Sequence, residues 1–242
     1  MAIYDINGNK IITGGNDSIY TSASMFQTVG VIGDSYASGA IFVDQNGELV
    51  PEDCYDLSWP QVLARMCGFT AYNYSAGGMT TKIWLNPEGE YHRVRSIEMM
   101  NNTQANDLYI VALGINDCMN ITLGSIADIE SDGTDSFYSY YGRIIRAIRN
   151  HAPKAIIMLS TNADFGGALD TFSRAIKNIG RYYEFPVLDL SKSSFFQSSF
   201  YRNNKVSWHP IAITYAGMAK EYKVLIENAL VNNVEKYKEY KG

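Results

Sequence analysis

The chain has 242 residues, a length that suits one large domain or two small ones. Hydrophobic residues make up 46% and charged residues 19%, a globular mixture that excludes a wholly disordered protein. The formal net charge of −5 lacks the basic footprint of a general nucleic-acid-binding protein, so we expect no nucleic-acid partner. No apolar run is long enough to span a bilayer, so we expect no membrane span.

The first residues differ in pattern from the rest of the chain. Residues 1–8 lack a basic region followed by an apolar stretch, so we expect no signal peptide. The default location is then the cytoplasm, although a mature secreted chain would look similar and the compartment stays open. Asn7-Gly8 lies between extended-type residues and predicts a small hairpin. We treat residues 1–27 as an accessory arm, residues 28–232 as one domain and residues 233–242 as a polar tail.

Short apolar runs then alternate with longer helical patterns. Strands are predicted at residues 28–32, 70–74, 107–113, 154–160 and 186–190. Helices are predicted at residues 59–66, 136–150, 168–183 and 211–230. Pro60 suits a first helical turn and Gly68 suits a helix end. The alternation indicates βαβ units, and the near-continuous apolar strands indicate a parallel sheet covered on both faces. We therefore predict an α/β fold with five parallel strands.

The cysteine and histidine patterns argue against disulfide and metal frameworks. The number of cysteines is odd and the gaps are long, which predicts reduced thiols. No two histidines share a ligand spacing such as HExxH, so we expect no metal site. These residues are Cys54, Cys67, Cys118, His92, His151 and His209, of which the first two histidines are expected on helix surfaces.

Four segments follow predicted strands or precede the last helix. They are residues 33–36 (Gly-Asp-Ser-Tyr), 73–78 (Asn-Tyr-Ser-Ala-Gly-Gly), 114–117 (Gly-Ile-Asn-Asp) and 207–210 (Ser-Trp-His-Pro). In a doubly wound sheet, ligands bind beyond the carboxyl ends of the strands. We therefore expect these four segments to meet at one rim.

The residue types in these segments suit nucleophilic catalysis. A serine hydroxyl needs a base to remove its proton, and His209 is placed to act as that base for Ser35. A developing oxyanion needs positioned donors. The backbone N–H groups of Ser35 and Gly78 and the side-chain amide of Asn116 would supply three.

Residues 28–230 resemble the SGNH hydrolase family, also called the GDSL esterase/lipase family. The family's first, second, third and fifth blocks are matched by residues 31–35, 73–78, 114–117 and 209–210, and residues 57–64 resemble the first helix of many members. The resemblance implies a three-layer α/β/α sandwich with the flavodoxin-like strand order 2-1-3-4-5. It also implies hydrolysis of acyl esters through an acyl-serine intermediate, with no metal or organic cofactor.

One position departs from the family pattern. The family usually has an aspartate three residues before the histidine, and this chain has Val206 there. Three interpretations stay open. A backbone carbonyl orients His209 and gives a Ser35–His209 dyad, a carboxylate such as Asp189 replaces the missing acid, or the protein is a feeble catalyst. Loss of a triad acid lowers triad-type catalysis without abolishing it, so we favour an active dyad.

Other residues near the rim have more than one interpretation. Asp34 and Asp117 look like site carboxylates, but we expect them to brace loops through backbone N–H groups. Tyr36 and Trp208 are candidates for the substrate pocket, and Trp208 alternatively packs beneath the final helix.

Two acidic, loop-like segments, residues 42–56 and 119–135, leave the rim, and we expect them to influence substrate choice. The expected function is a serine esterase for short-chain esters, with an O-acetylated carbohydrate as the first candidate substrate. The alternatives are a lysophospholipase, thioesterase or other lipolytic hydrolase, and a catalytically weak carbohydrate-binding module on the same fold. A nucleotide-binding protein is disfavoured because no glycine-rich phosphate loop follows the first strand. The oligomeric state stays open.

Overall fold

The computed structural model describes residues 22–233. Its strands are β1 (Thr28–Gly33), β2 (Ala40–Gln45), β3 (Glu48–Asp53), β4 (Thr70–Asn73), β5 (Leu108–Ala112), β6 (Ile156–Ser160), β7 (Val187–Leu188), β8 (Lys205–Val206) and β9 (His209–Pro210). Its α-helices are α1 (Ser35–Ser38), α2 (Trp59–Cys67), α3 (Thr81–Leu85), α4 (Gly89–Arg93), α5 (Ile97–Asn101), α6 (Asp117–Asn120), α7 (Phe137–His151), α8 (Gly167–Tyr183), α9 (Ser194–Gln197), α10 (Ser199–Asn203) and α11 (Ala212–Asn232).

Five strands form one parallel sheet in the order β4-β1-β5-β6-β7. β1 pairs with a strand on each side, so that Val29 lies beside both Ala71 and Leu108. These are the five strands predicted for the sheet, and the predicted order 2-1-3-4-5 is confirmed. The remaining strands form two antiparallel pairs outside this sheet, β2 with β3 and β8 with β9.

Helices cover both faces of the sheet. Alternate residues of β1 face opposite sides: Val31 packs with α2 and α11, while Ile32 packs with α7 and α8. In the first of these layers the buried rings of Trp59 and Tyr222 stack with centroids 3.7 Å apart. The predicted three-layer α/β/α sandwich is therefore confirmed.

Local sequence signals set the ends of the long helices. α2 has Pro60 in its first turn and ends before Gly68, whose φ of +81° is left-handed. α7 begins after Ser136, whose hydroxyl accepts from the N–H of Ser139. α11 begins two residues after Pro210, so the segment that contains His209 leads directly into the last helix.

The expectation that residues 42–56 are loop-like is wrong. β2 and β3 form a hairpin in which Val43 lies opposite Val50. Asn46 and Gly47 make its turn with φ values of +59° and +89°. Asn-Gly is a strong signal for a two-residue hairpin, and the acidic composition of the segment obscured it.

The predicted arm and tail lie largely outside the described residues, including the hairpin expected at Asn7-Gly8 and the residues after Asn233. Residues 22–27 are described. Their Ala23 and Phe26 are buried in the apolar cluster that contains α11, so this segment packs on the domain. Within residues 22–233, no helix is long and apolar enough to cross a membrane.

Candidate active site

Ser35 and His209 meet at the carboxyl edge of the sheet, although 174 positions separate them in the chain. The Oγ of Ser35 lies 2.9 Å from Nε2 of His209. Ser35 begins α1 directly after β1, and His209 begins β9. The structure therefore brings the predicted nucleophile and base within hydrogen-bonding distance.

A tight strand-to-helix turn positions Ser35. Asp34 caps α1, and its carboxylate accepts from the N–H of Tyr36 at 3.0 Å. A Cβ at Gly33 would lie 2.6 Å from the Cβ of Ala37, so the turn needs a residue without a side chain here. Burial raises the pKa of Asp34 to about 7. Asp34 thus has the bracing contact expected of it.

A two-residue turn positions His209. Ser207 and Trp208 connect β8 to β9, and both have positive φ, +45° and +71°. The turn brings the backbone carbonyl of Ser207 to 3.0 Å from Nδ1 of His209. A carbonyl oxygen only accepts, so Nδ1 carries the proton and Nε2 has a lone pair for the proton of Ser35. This tautomer is the one that a general base needs.

The structure does not bring Asp189 to His209. Its carboxylate lies 2.8 Å from Nζ of Lys177 and accepts from the hydroxyl of Ser191 at 2.6 Å. Among residues 22–233, no hydrogen bond joins Asp189 to the imidazole. The suggestion that Asp189 orients His209 is therefore wrong, because its partners lie on α8 and in the turn after β7.

Gly78 and Asn116 line the same cavity as Ser35 and His209, a cavity of about 900 Å³. Gly78 has a φ of +72°, and its N–H has no acceptor within residues 22–233. One amide N–H of Asn116 donates to the carbonyl of Met79 at 3.0 Å, which fixes the amide and leaves its second N–H without an acceptor in the described chain. Two of the predicted oxyanion donors, Gly78 and Asn116, thus line the cavity that contains Ser35.

The peptide before Gly78 is held by residues that the sequence did not indicate as site residues. The N–H of Gly77 donates to Asp53 and to the Tyr91 hydroxyl, both at 3.0 Å, and Tyr91 itself donates to Asp53. On the other side of this segment, Nε2 of His92 lies 3.3 Å from the Gly77 carbonyl. His92 was expected only on a helix surface. No spacing in the sequence links these residues, because they lie 14 to 24 positions from Gly77.

Asp117 braces the loop after β5. Its side chain is fully buried and accepts from both the N–H and the hydroxyl of Thr81 at the start of α3. Burial raises the pKa of Asp117 to about 6. This is the loop contact expected for Asp117.

Tyr36 and Trp208 do not line the cavity that contains Ser35, so the expectation that they form the substrate pocket is wrong for this cavity. The Tyr36 side chain is buried, and its hydroxyl donates to the backbone carbonyl of Trp208 at 2.6 Å. The Trp208 side chain is 83% exposed and borders a separate cleft with Phe165. It therefore does not pack beneath the final helix either.

Only one of the two segments expected to influence substrate choice lines the cavity that contains Ser35. The β2–β3 hairpin supplies Phe42 and Glu52 to the cavity, whereas residues 119–135 supply no lining residue. In the second segment, the carboxylates of Glu130 and Asp132 pair with Arg146 at 2.9 Å and 2.6 Å. Their charge is thus partly neutralised away from the serine.

Within the described residues, no group of three or more His, Cys, Asp or Glu side chains is arranged to hold a metal ion. The three cysteines are free thiols.

The sequence matches one family model over most of its length: residues 31–216 match the GDSL-like Lipase/Acylhydrolase family. No curated protein sequence matches the chain at a significant level.

Solved structures share the fold at low sequence identity. A "possible lipase" from Chitinophaga pinensis has a TM-score of 0.55 and 18% identity, covering 83% of this chain and 98% of that one. A carbohydrate esterase family 2 enzyme with a carbohydrate-binding domain, from Corynascus thermopiles, has a TM-score of 0.58 and 15% identity. The match covers 93% of this chain and 70% of that one. A family two carbohydrate esterase from Clostridium thermocellum, in complex with cellohexaose, has a TM-score of 0.56 and 16% identity. The match covers 84% of this chain and 64% of that one.

Proposed function

Because the chain belongs to the GDSL-like Lipase/Acylhydrolase family, we propose that it hydrolyses carboxylic esters through an acyl-serine intermediate on Ser35. The observation that carries this proposal is the 2.9 Å contact between Ser35 Oγ and His209 Nε2 beside a cavity. Family membership supports a hydrolase of the esterase or lipolytic type. The roles of individual residues and the choice of substrate are our proposals.

The proposed reaction has two halves. Ser35 Oγ attacks the ester carbonyl as Nε2 of His209 takes its proton, and the tetrahedral oxyanion lies between the N–H groups of Ser35 and Gly78 and the amide of Asn116. The intermediate collapses, the C–O bond to the alcohol breaks, and His209 returns the proton to the leaving oxygen. Water then attacks the acyl-serine with His209 again as base, which releases the acid and restores Ser35.

The proposed catalytic unit is a dyad whose imidazole is oriented by a backbone carbonyl. The Ser207 carbonyl selects the Nδ1–H tautomer of His209, as an aspartate would. A neutral acceptor stabilises the imidazolium less than a carboxylate does. We therefore expect measurable turnover with a lower kcat than a complete triad would give.

An O-acetyl group on a carbohydrate is the favoured substrate. The cavity is lined by Phe42, Tyr55 and Tyr91, whose rings offer aromatic surface on which a sugar ring can pack. The similar carbohydrate esterase from Clostridium thermocellum is described in complex with cellohexaose. Both observations favour an ester of a carbohydrate over an ester of a small alcohol.

A lipolytic hydrolase that acts on longer acyl chains is the second candidate. The observation that favours it is the side chain of Val94, which is 50% exposed and lies on the cavity lining. An exposed apolar residue in the cavity that contains Ser35 offers a surface for an acyl chain.

Turnover of a chromogenic aryl acetate by the wild type and by Ser35→Ala tests the proposal. Ser35→Ala should lose turnover and fluorophosphonate labelling while its circular dichroism is unchanged. Ser194→Ala is a matched control, because Ser194 is exposed and its hydroxyl makes no hydrogen bond within the described residues. Equal turnover by Ser35→Ala and the wild type would contradict the nucleophile assignment. A wild type that neither turns over esters nor labels would favour a carbohydrate-binding module.

A panel of substrates separates the two candidates. Acetyl, butyryl and octanoyl aryl esters measure the preferred acyl length, and acetylated xylan or cello-oligosaccharides measure the response to sugar. A kcat/KM that falls with acyl length and rises on acetylated sugar supports the carbohydrate esterase. A kcat/KM that rises with acyl length supports the lipolytic hydrolase.

A further inference from the structure

The neighbours of Ser35 and His209 are joined to each other. Tyr36 follows the serine, Trp208 precedes the histidine, and the Tyr36 hydroxyl donates to the Trp208 carbonyl at 2.6 Å. The rings of Tyr36 and His209 also lie close, with centroids 5.7 Å apart. Because each partner is one residue from a member of the dyad, this bond restricts how far the hydroxyl and the imidazole can separate.

The carbonyl that accepts this bond belongs to a strained turn. Ser207 and Trp208 both adopt left-handed φ values, which cost free energy for residues with a Cβ. The Trp208 side chain is 83% exposed, so its own packing contributes little to holding this conformation. The same conformation directs the Ser207 carbonyl at His209. A contact from outside the turn is therefore needed, and the Tyr36 hydroxyl supplies one.

A largely buried ion pair lies behind the Tyr36 hydroxyl. Asp164 accepts from Tyr36 and pairs with the ammonium of Lys205, and the two charged side chains are only 25% and 11% exposed. The ammonium also lies 4.1 Å from the ring centroid of Tyr201. The Tyr36 hydroxyl has one proton for two acceptors. The proton is therefore shared between Asp164 and the Trp208 carbonyl, and the Lys205 ammonium, which pairs with Asp164, also lies 3.4 Å from the Tyr36 oxygen.

The hydroxyl is a donor over the whole working range of pH. Burial, and secondly the negative charge of Asp164, raise the pKa of Tyr36 far above its usual value. The phenol therefore keeps its proton, and the contact with Trp208 does not depend on titration of Tyr36.

We propose that Tyr36, Asp164 and Lys205, here called the turn clamp, are positioning residues for the imidazole. The turn clamp holds the two-residue turn in the conformation that directs the Ser207 carbonyl at Nδ1. It thereby holds in place the Ser207 carbonyl, which takes the orienting role that an acid performs in a Ser-His-Asp triad. This inference rests on the proposed esterase function and adds to it the residues that keep the dyad aligned.

The turn clamp acts on the catalytic step and leaves binding unchanged. With the turn held, the N–H of Nδ1 keeps donating to the Ser207 carbonyl and the Nε2 lone pair stays directed at Ser35. Without it, the turn relaxes and the ring of His209 rotates away for part of the time. None of the three clamp residues lines the cavity around Ser35, so the lining groups other than the imidazole of His209 remain in place. Loss of the clamp therefore lowers kcat and not the affinity for substrate.

Tyr36→Phe tests the turn clamp, with Tyr201→Phe as its matched control. Each variant removes one hydroxyl from a buried ring beside Lys205, but the Tyr201 hydroxyl has no hydrogen-bond partner within the described residues. Tyr36→Phe should lower kcat on an aryl acetate by up to about 100-fold and leave KM near the wild-type value. Tyr201→Phe should keep both constants. Thermal unfolding of both variants shows that they are folded.

A second measurement determines the tautomer of the His209 imidazole and does not depend on turnover. Nitrogen NMR of the three histidines should give the Nδ1–H tautomer for His209 in the wild type and a mixture of tautomers in Tyr36→Phe. A Tyr36→Phe variant with wild-type kcat, or with the same loss as Tyr201→Phe, overturns the turn clamp. A wild type inert toward esters contradicts the esterase function instead. In that case an unchanged tautomer in Tyr36→Phe overturns the clamp, and a mixture supports it.

Discussion

Val206 lies directly opposite His209 in the antiparallel pair of β8 and β9. Side chains of such neighbours lie on one face, with Cβ atoms about 4.5–5.5 Å apart. An aspartate at position 206 is therefore within reach of the imidazole. Val206→Asp should raise kcat by about fivefold, because a hydrogen bond to a charged acceptor is about 1 kcal/mol stronger than one to a neutral acceptor.

Initial rates on an aryl acetate measure this change, and Val206→Asn is the control. Asparagine has the same shape as aspartate but no charge, so we expect no gain from it. A gain in both variants would point to polarity or packing at position 206 as the cause. A loss in Val206→Asp alone would mean that the carboxylate displaces the Ser207 carbonyl without a better alignment of His209.

Asp53 links the nucleophile helix to the loop that carries Gly78. Its carboxylate accepts from the Ser38 hydroxyl at 2.5 Å and from the N–H of Gly77 at 3.0 Å. Asp53→Asn weakens these bonds and loosens the Gly78 N–H. We expect kcat to fall by about tenfold, which corresponds to about 1.4 kcal/mol. This is less than the roughly 2.7–4 kcal/mol that complete loss of an oxyanion donor costs.

Glu48→Gln is the matched control for Asp53→Asn, because it removes one negative charge from an exposed position of the same strand, β3. Its kcat should equal that of the wild type. Equal losses in the two variants would indicate that the charge of the hairpin matters rather than the bond to Gly77.

The buried carboxyl of Asp34 makes stability depend on pH. Folding raises its pKa from 3.8 to about 7, chiefly through burial. Between these values the folded chain binds more protons than the unfolded chain, so the free energy of unfolding falls as the pH rises. Asp34→Asn keeps an oxygen for the Tyr36 N–H and does not titrate. Its stability relative to the wild type should therefore increase from pH 5 to pH 8.

Chemical unfolding of both proteins at pH 5 and pH 8 measures this difference. Asp117 also has a pKa raised by burial, to about 6, and it titrates in both proteins. Its charge is only the third cause of the Asp34 shift, after burial and the Tyr36 N–H, so the difference between the two proteins reports chiefly on Asp34. A difference between variant and wild type that stays constant with pH would mean that Asp34 is ionised throughout this range in the folded chain.

Much of the fold follows from local sequence signals. Runs such as residues 108–112 are apolar throughout, as strands buried on both faces must be. Parallel strands end at one edge, so the topology brings together the segments after β1, β4 and β5, which contain Ser35, Gly78 and Asn116. That is why residues far apart in the chain could be assigned to one site.

The contacts that complete the site have no such signal. His209 is oriented by the carbonyl of Ser207, and because every residue has a backbone carbonyl, no residue type marks this role. The turn itself could not be predicted from the sequence, because Ser-Trp is not among the residue pairs that favour two positive φ values. The bond from Tyr91 to Asp53 joins a helix to a hairpin that was expected to be a loop.

Gly142 tests the packing of α7 independently of catalysis. A Cβ at this position would lie 1.9 Å from the backbone carbonyl oxygen of buried Ile129. Alanine favours a helix over glycine by about 1 kcal/mol, but the overlap forces backbone to move, so we expect Gly142→Ala to destabilise the protein by roughly 1–3 kcal/mol. Gly133→Ala is the control, because its Cβ would meet no atom within 4 Å. Urea unfolding midpoints measure both, and equal midpoints would mean that the segment around Ile129 moves aside without cost.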